Sequence, residues 1–214
     1  MAIQYIRIST MSRTTGANAL EASAYRSNSK MFDEQISKSF DYTNKNDCIY
    51  NNVLLPDTAY IGNLDASNHP FNEREILWNA VELKENGHNR FANARVAYEI
   101  QLALPKELTH EQNIKLVNEF VFSNYTSKFN IAADIAIHDK KDGNIHAHIM
   151  LTTRPIQGVE LSNKKTRNIL PKVLKSKGLA FSQQDGIAQK YRDFQNDFFK
   201  KEGLNLVVDQ NKIH

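Results

Sequence analysis

The chain predicts an α+β fold of two layers, a central antiparallel sheet carrying a histidine cluster with helices packed on it. Three observations predict it. Ile135 to Thr153 reads as a hairpin, two apolar β-branched arms around the turn-forming segment Asp139 to Asn144. Asn72 to Glu85, and the stretch from Thr109 to about Tyr125, carry the apolar spacing of amphipathic helices. Strands and helices alternate along 214 residues without internal repeats, low-complexity tracts or long linkers. One domain over 1–214 is therefore expected, with enough chain for a proper core.

Taken in order, Ala2 to Ser9 alternates imperfectly and reads as a first strand. Ser12 to Gly16 is a loop rich in hydroxyl and backbone donors around Arg13, of the kind that can hold a phosphate. From Ala17 an alanine-rich run suits a helix with Tyr25 toward its end, among Ala22, Ser23 and Ala24 and beside Arg26. Between Met31 and Tyr60 only Cys48 to Leu55 suggests a strand. The helix at Asn72 to Glu85 would bury Ile76, Leu77, Ala80, Val81 and Leu83, and it carries the sole tryptophan, Trp78. Arg95 to Leu104 is a buried strand closed by Pro105. Thr109 and Gln112 form a capping-box start for the next helix, with His110 exposed in its first turn. After the hairpin, Arg154 to Gly158 reads as a turn, Ser162 to Gly178 as a basic run without an acid, and Gln183 to Glu202 as a last amphipathic helix.

Composition excludes several classes. With 41% hydrophobic and 24% charged residues the chain is an ordinary globular one, and no apolar run reaches membrane-spanning length. The single cysteine, Cys48, rules out an internal disulfide framework and agrees with a reducing compartment. A net charge of only +3 means that any nucleic-acid role rests on local patches.

The chemistry concentrates in the hairpin. Residues two apart in a strand share a face, so His146 and His148 project together, and His138 meets them when the hairpin folds back. His69 and His88, by contrast, sit in loop-like surroundings without convergent partners. Three neutral imidazoles suit Zn, Mn, Fe or Ni, and three protein ligands leave positions open for substrate, which points to catalysis more than to structure. Two further groups stand out. Glu99 is the one acid on an apolar strand, so it either faces solvent or needs a partner. Tyr25 is either a ring packed on the sheet or a nucleophile that small neighbours leave approachable.

Three blocks then carry a resemblance: the opening from Met1 through Arg13 and Gly16 to Tyr25-Arg26, the strand Glu99 to Pro105, and AIHDKKDGNIHAHIMLTTR. Together they resemble the MobA/MobL family of plasmid relaxases, over roughly the first 155 residues. The resemblance implies a HUH endonuclease fold, with His146-Ala147-His148 as the histidine pair. It implies that Tyr25 attacks a phosphodiester of single-stranded DNA at an origin of transfer. The products would be a 5'-phosphotyrosyl adduct and a free 3'-hydroxyl that the same site can rejoin. His138, His146 and His148 would hold one divalent ion, Mn²⁺ or Mg²⁺; because Mg²⁺ prefers oxygen ligands, an all-nitrogen site favours Mn²⁺ or another transition metal. Glu99 would orient a histidine or accept the tyrosine proton. Arg13, Arg26, Lys164, Lys165 and Arg167 are the candidate DNA contacts. Accessory relaxosome proteins and a type IV secretion coupling protein are the implied partners. The bacterial cytoplasm is the implied location, with delivery of the DNA-linked form to a recipient cell, and the chain is consistent with an excised catalytic domain of a longer protein. Three alternatives stay open: a rolling-circle replication initiator using Tyr191, a metal-dependent hydrolase that leaves no protein-linked DNA, and a non-catalytic single-stranded DNA-binding module.

Overall fold

The computed structural model describes residues 5–59, 73–86, 94–169 and 186–209. Five antiparallel strands form one sheet: β1 (Ile6–Ser12), β4 (Cys48–Leu54), β5 (Arg95–Ala103), β6 (Ala133–His138) and β7 (His146–Thr152), in the order β1-β5-β7-β6-β4. The expected antiparallel sheet with packed helices is observed. Helices flank both of its faces, so a third layer joins the two expected.

Alternation along the strands separates the layers. Ile135, Ile137, Ala147, Ile149 and Leu151 face a core built with Phe120, Tyr125 and Tyr191. These aromatics come from α3 (His110–Val121), the π-helical turn after it (Phe122–Thr126) and the last helix, α4 (Ile187–Lys201). On the opposite face Met150 and Ala97 pack with Leu20, Ala24, Leu77 and Trp78, from α1 (Ala19–Ser27) and α2 (Glu73–Asn86). Each face is thus packed by its own pair of helices.

Local chemistry sets the boundaries of these helices. The Asn18 side chain accepts from the Glu21 N–H to start α1, and Asn28, in the left-handed region at φ 53°, ends it. The capping box foreseen at Thr109 and Gln112 has both of its hydrogen bonds. Asp134 on β6 binds both helices of its face: its carboxylate accepts from Ser23 Oγ of α1 at 2.5 Å, and from Arg74 Nε at 2.7 Å and Trp78 Nε1 at 2.8 Å of α2.

The structure departs from the sequence-based expectations in several places. A short hairpin, β2 (Lys30–Asp33) and β3 (Lys38–Asp41), lies where no element was expected. The first strand runs to Ser12 rather than Ser9, because pairing with β5 continues to that point. The segment after Arg154 forms a two-residue ladder, β8 (Ile156–Gln157) with β9 (Glu160–Leu161), rather than a bare turn. On α2, Leu83 is exposed while Glu82 and Glu85 are buried. The acids point inward because each meets cations there: Glu82 pairs with Arg13 and accepts from the Ala19 N–H at 2.7 Å, and Glu85 accepts from Arg154 Nε at 2.6 Å and Lys165 Nζ at 2.7 Å. Among the described residues no helix is long and apolar enough to cross a membrane. The expectations for His69 and His88, and for most of the basic run beyond Ile169, lie outside the described residues.

Candidate metal centre and active site

The two strands that carry the histidines are inner strands of the sheet. In the β6–β7 ladder His138 stands directly opposite His146, and His148 opposite Ala136. Two Asx turns close the hairpin between them, Asp139 Oδ1 accepting from the Lys141 N–H at 2.7 Å and Asp142 Oδ1 from the Asn144 N–H at 2.9 Å. Gly143 takes φ +81°, a conformation open to glycine, and lets the chain reverse. This places the three rings against one another, with centroids 5.2 to 5.4 Å apart. One ligating nitrogen from each lies within 4.8 Å of the other two. Ala147, between the pair, is fully buried in the core on the other face.

Each ring has one nitrogen hydrogen-bonded to an oxygen; the other is Nε2 of His146 and His148 and, in His138, the Nδ1 that lies 3.7 Å from Asp47 Oδ2. His146 Nδ1 donates to the Asn144 carbonyl at 2.9 Å, His148 Nδ1 to Glu99 Oε1 at 2.9 Å, and His138 Nε2 to the Arg26 carbonyl at 2.6 Å. Such partners choose the tautomer and aim the remaining lone pair, as around metal-bound imidazoles generally. Burial, the largest influence, pushes the His138 imidazole down to about 4, so the ring is neutral at pH 7 as a ligand must be. The donor set therefore fits a divalent ion of borderline softness.

Glu99, left open between solvent and a buried partner, is buried with two partners. Its Oε1 accepts from Arg26 Nε at 2.9 Å and Nη2 at 2.6 Å as well as from His148. Burial alone would raise this carboxyl; the His148 hydrogen bond and the Arg26 guanidinium outweigh it and hold the group down at about 2.

Tyr25 projects from the C-terminal half of α1, 50% exposed, rather than packing flat on the sheet. Its ring meets the edge of Tyr42 at 5.2 Å, and Lys45 Nζ lies 3.4 Å above its centroid. The residue after it ties this helix to the cluster: Arg26 contacts His138 through its carbonyl and His148 through Glu99. Tyr191, by contrast, is fully buried, and its hydroxyl donates to the Ala103 carbonyl at 2.8 Å.

Of the candidate DNA contacts, Arg13, Arg26 and Lys165 are bound to Glu82, Glu99 and Glu85, while Lys164 and Arg167 are exposed. Residues 42 to 47 add groups that sequence reasoning missed. Asp47 Oδ2 lies 3.7 Å from His138 Nδ1 and Asp47 Oδ1 3.6 Å from Lys45 Nζ. A carboxylate there adds negative charge beside the cluster, which favours a cation. No spacing signal in the Asn-rich stretch around Asp47 could have revealed it.

The chain is similar in sequence to known proteins and in fold to a solved structure. The model of the MobA/MobL family matches residues 17–211. Conjugal transfer protein TraA of Rhizobium radiobacter is 35% identical over 167 residues, which is 77% of this chain and 15% of that protein. Probable mobilization protein MobA of Bifidobacterium longum is 33% identical over 157 residues, 73% of this chain and 26% of that one. The chain thus spans a small part of the length of these relatives. A structure solved in work on the molecular basis of vancomycin resistance transfer in Staphylococcus aureus matches with a TM-score of 0.75 and 27% identity, over 100% of both chains.

Proposed function

This chain belongs to the MobA/MobL family, and from that premise we propose that it is a relaxase domain of conjugative transfer or plasmid mobilisation, cutting one DNA strand at an origin of transfer. The observation that supports the reading is the tie between helix α1, which bears Tyr25, and the histidine cluster. The helix bearing Tyr25 delivers the carbonyl of its next residue to His138 at 2.6 Å, and the side chain of that residue to the carboxylate that holds His148.

In this reading Tyr25 Oη gives up its proton to solvent and attacks phosphorus, the bond to the 3'-oxygen breaks, and that oxygen takes a proton from solvent and leaves as a hydroxyl. Half exposure of the phenol gives a single strand room to approach, and the reverse attack by the 3'-hydroxyl rejoins the ends. His138, His146 and His148 would hold one divalent ion, Mn²⁺ fitting three nitrogens better than Mg²⁺. The chemistry such an ion supplies is Lewis-acid stabilisation of charge on the phosphoryl oxygens. Glu99 aims His148; a carboxylate held at about 2 is too weak a base to take the phenol proton efficiently. Exposed Lys164 and Arg167 would meet the strand's phosphates, whereas Arg13, Arg26 and Lys165 are engaged by carboxylates of the fold. The sealing of Tyr191 in the core supports Tyr25 over it as the attacking phenol. Location in the bacterial cytoplasm, with relaxosome proteins and a secretion coupling protein as partners, follows from the same reading.

The decisive experiment mixes the protein with Mn²⁺ and a labelled single-stranded origin oligonucleotide and resolves products on a denaturing gel. The wild type is expected to form a protein-linked band, and Tyr25→Phe to lose it while still binding the oligonucleotide. A band that persists in Tyr25→Phe but vanishes in Tyr191→Phe would sink the assignment.

A further inference from the structure

Building on the reading of Tyr25 as nucleophile, we infer that Lys45 is a positioning residue for that phenol. An exposed tyrosine on a helix end turns about two side-chain bonds. Catalysis by attack needs the reacting oxygen held within a few tenths of an ångström of its line. Something on the open side of α1 has to restrict the ring.

The segment from Tyr42 to Asp47, between β3 and β4, does so with three grips. Tyr42 sets its ring edge-on to Tyr25 at 5.2 Å, and is itself anchored by a hydroxyl that donates to Glu21 Oε1 at 3.2 Å. Lys45 Nζ covers the face of the Tyr25 ring at 3.4 Å from the centroid and donates to the Tyr25 carbonyl at 2.8 Å. One ammonium thus binds both the backbone and the ring of the same residue, which fixes the angle between them. On its far side that ammonium lies 3.6 Å from Asp47 Oδ1, whose other oxygen is 3.7 Å from His138 Nδ1. The Asp47 carbonyl accepts from the Asp139 N–H at 3.0 Å, so the segment is also stitched to the end of β6. A continuous line of contacts runs from the phenol through Lys45 and Asp47 to the metal-site imidazole. The alternative task for Lys45 is to meet a phosphate of the bound strand.

Lys45→Met and Lys45→Arg separate the two in single-turnover adduct formation with Mn²⁺ and the labelled oligonucleotide. Loss of the cation is expected to slow adduct formation at saturating oligonucleotide by roughly tenfold, with affinity for the strand changed less than about twofold. The arginine variant, which keeps a cation able to cover the ring, is expected to restore most of the rate. Proton NMR of the protein without metal gives a readout independent of turnover. The Lys45 ε-methylene protons should be shifted upfield by the ring beneath them, and should return to ordinary positions in Tyr25→Ala. An unchanged rate in Lys45→Met, a loss confined to oligonucleotide affinity, or unshifted ε-protons in the wild type would each overturn the inference. If instead Tyr25→Phe still makes the adduct, it is the nucleophile assignment that falls.

Discussion

Burial pushes the His138 imidazole down to about 4, against the opposing pull of the Arg26 carbonyl and Asp47. Unfolded chain takes up that proton near the ordinary value of about 6.5, while folded chain holds the ring neutral until about 4. Between those values the unfolded state binds more protons, so stability falls as the pH drops. At pH 5 the loss from this one group is roughly 1–2 kcal/mol. Glu99 does not confuse the measurement: held at about 2, its contribution is complete above about 4.5 and is lost only as pH falls toward 2. Urea midpoints of metal-free protein at pH 7 and 5 should differ by the corresponding amount, and His138→Gln should flatten the difference; an equal drop in the variant would contradict the assignment. At this scale the histidines were legible, because strand alternation alone makes His146 and His148 share a face. The surroundings of Arg13, Arg26, Glu99 and Lys165 were not, since each ion pair joins residues about 70 or 80 positions apart and only the folded sheet brings them together.

Among the elements, the docking of α1 and α2 depends on one carboxylate. Asp134 accepts from Ser23, Arg74 and Trp78, and it is nearly sealed from water. Replacing it with alanine leaves the Arg74 guanidinium without its carboxylate in the interior, a change that typically costs about 3–5 kcal/mol. Chemical denaturation of Asp134→Ala should record a loss of that order, and a cost below about 1 kcal/mol would mean that apolar packing alone docks the pair. Amphipathic spacing revealed α2 and α3, and the capping box even fixed where α3 begins. The β2–β3 hairpin escaped notice for a physical reason. Its strands have four residues each, one of its few buried positions is an acid, Asp33, and that side chain accepts from the Gln35 N–H and from Asn18 Nδ2, satisfying polar groups instead of joining an apolar stripe. Yet the segment that follows this hairpin holds Tyr25 and reaches His138, so the least legible part of the chain supplies a wall of the site.

For the molecule as a whole, the candidate metal ligands belong to a sheet that has an apolar core of its own. β6 and β7 are each paired on both sides, and their apolar residues complete a core with α3 and α4. Small zinc-dependent domains unfold when stripped because the ion replaces a core; here a core is present. Chelation should therefore abolish adduct formation, leave the far-ultraviolet circular dichroism unchanged, and lower the unfolding free energy only by the linkage term, about 2.7 kcal/mol for an ion at a hundred times its dissociation constant. Collapse of the dichroism on chelation would refute this. The fold class was legible at this scale from the order of strands and helices, but the second helical layer was not, because periodicity tells which face of a helix is buried and not which side of a sheet it covers.

The half-exposed stance of Tyr25 has a mechanical outcome. Its carrier helix is closed against the sheet on the inner side, while the phenol stands outward. Any polymer that becomes bonded to that oxygen hangs from the exterior like cargo from a hook, so the body of the molecule can stay fully folded for as long as the load is attached.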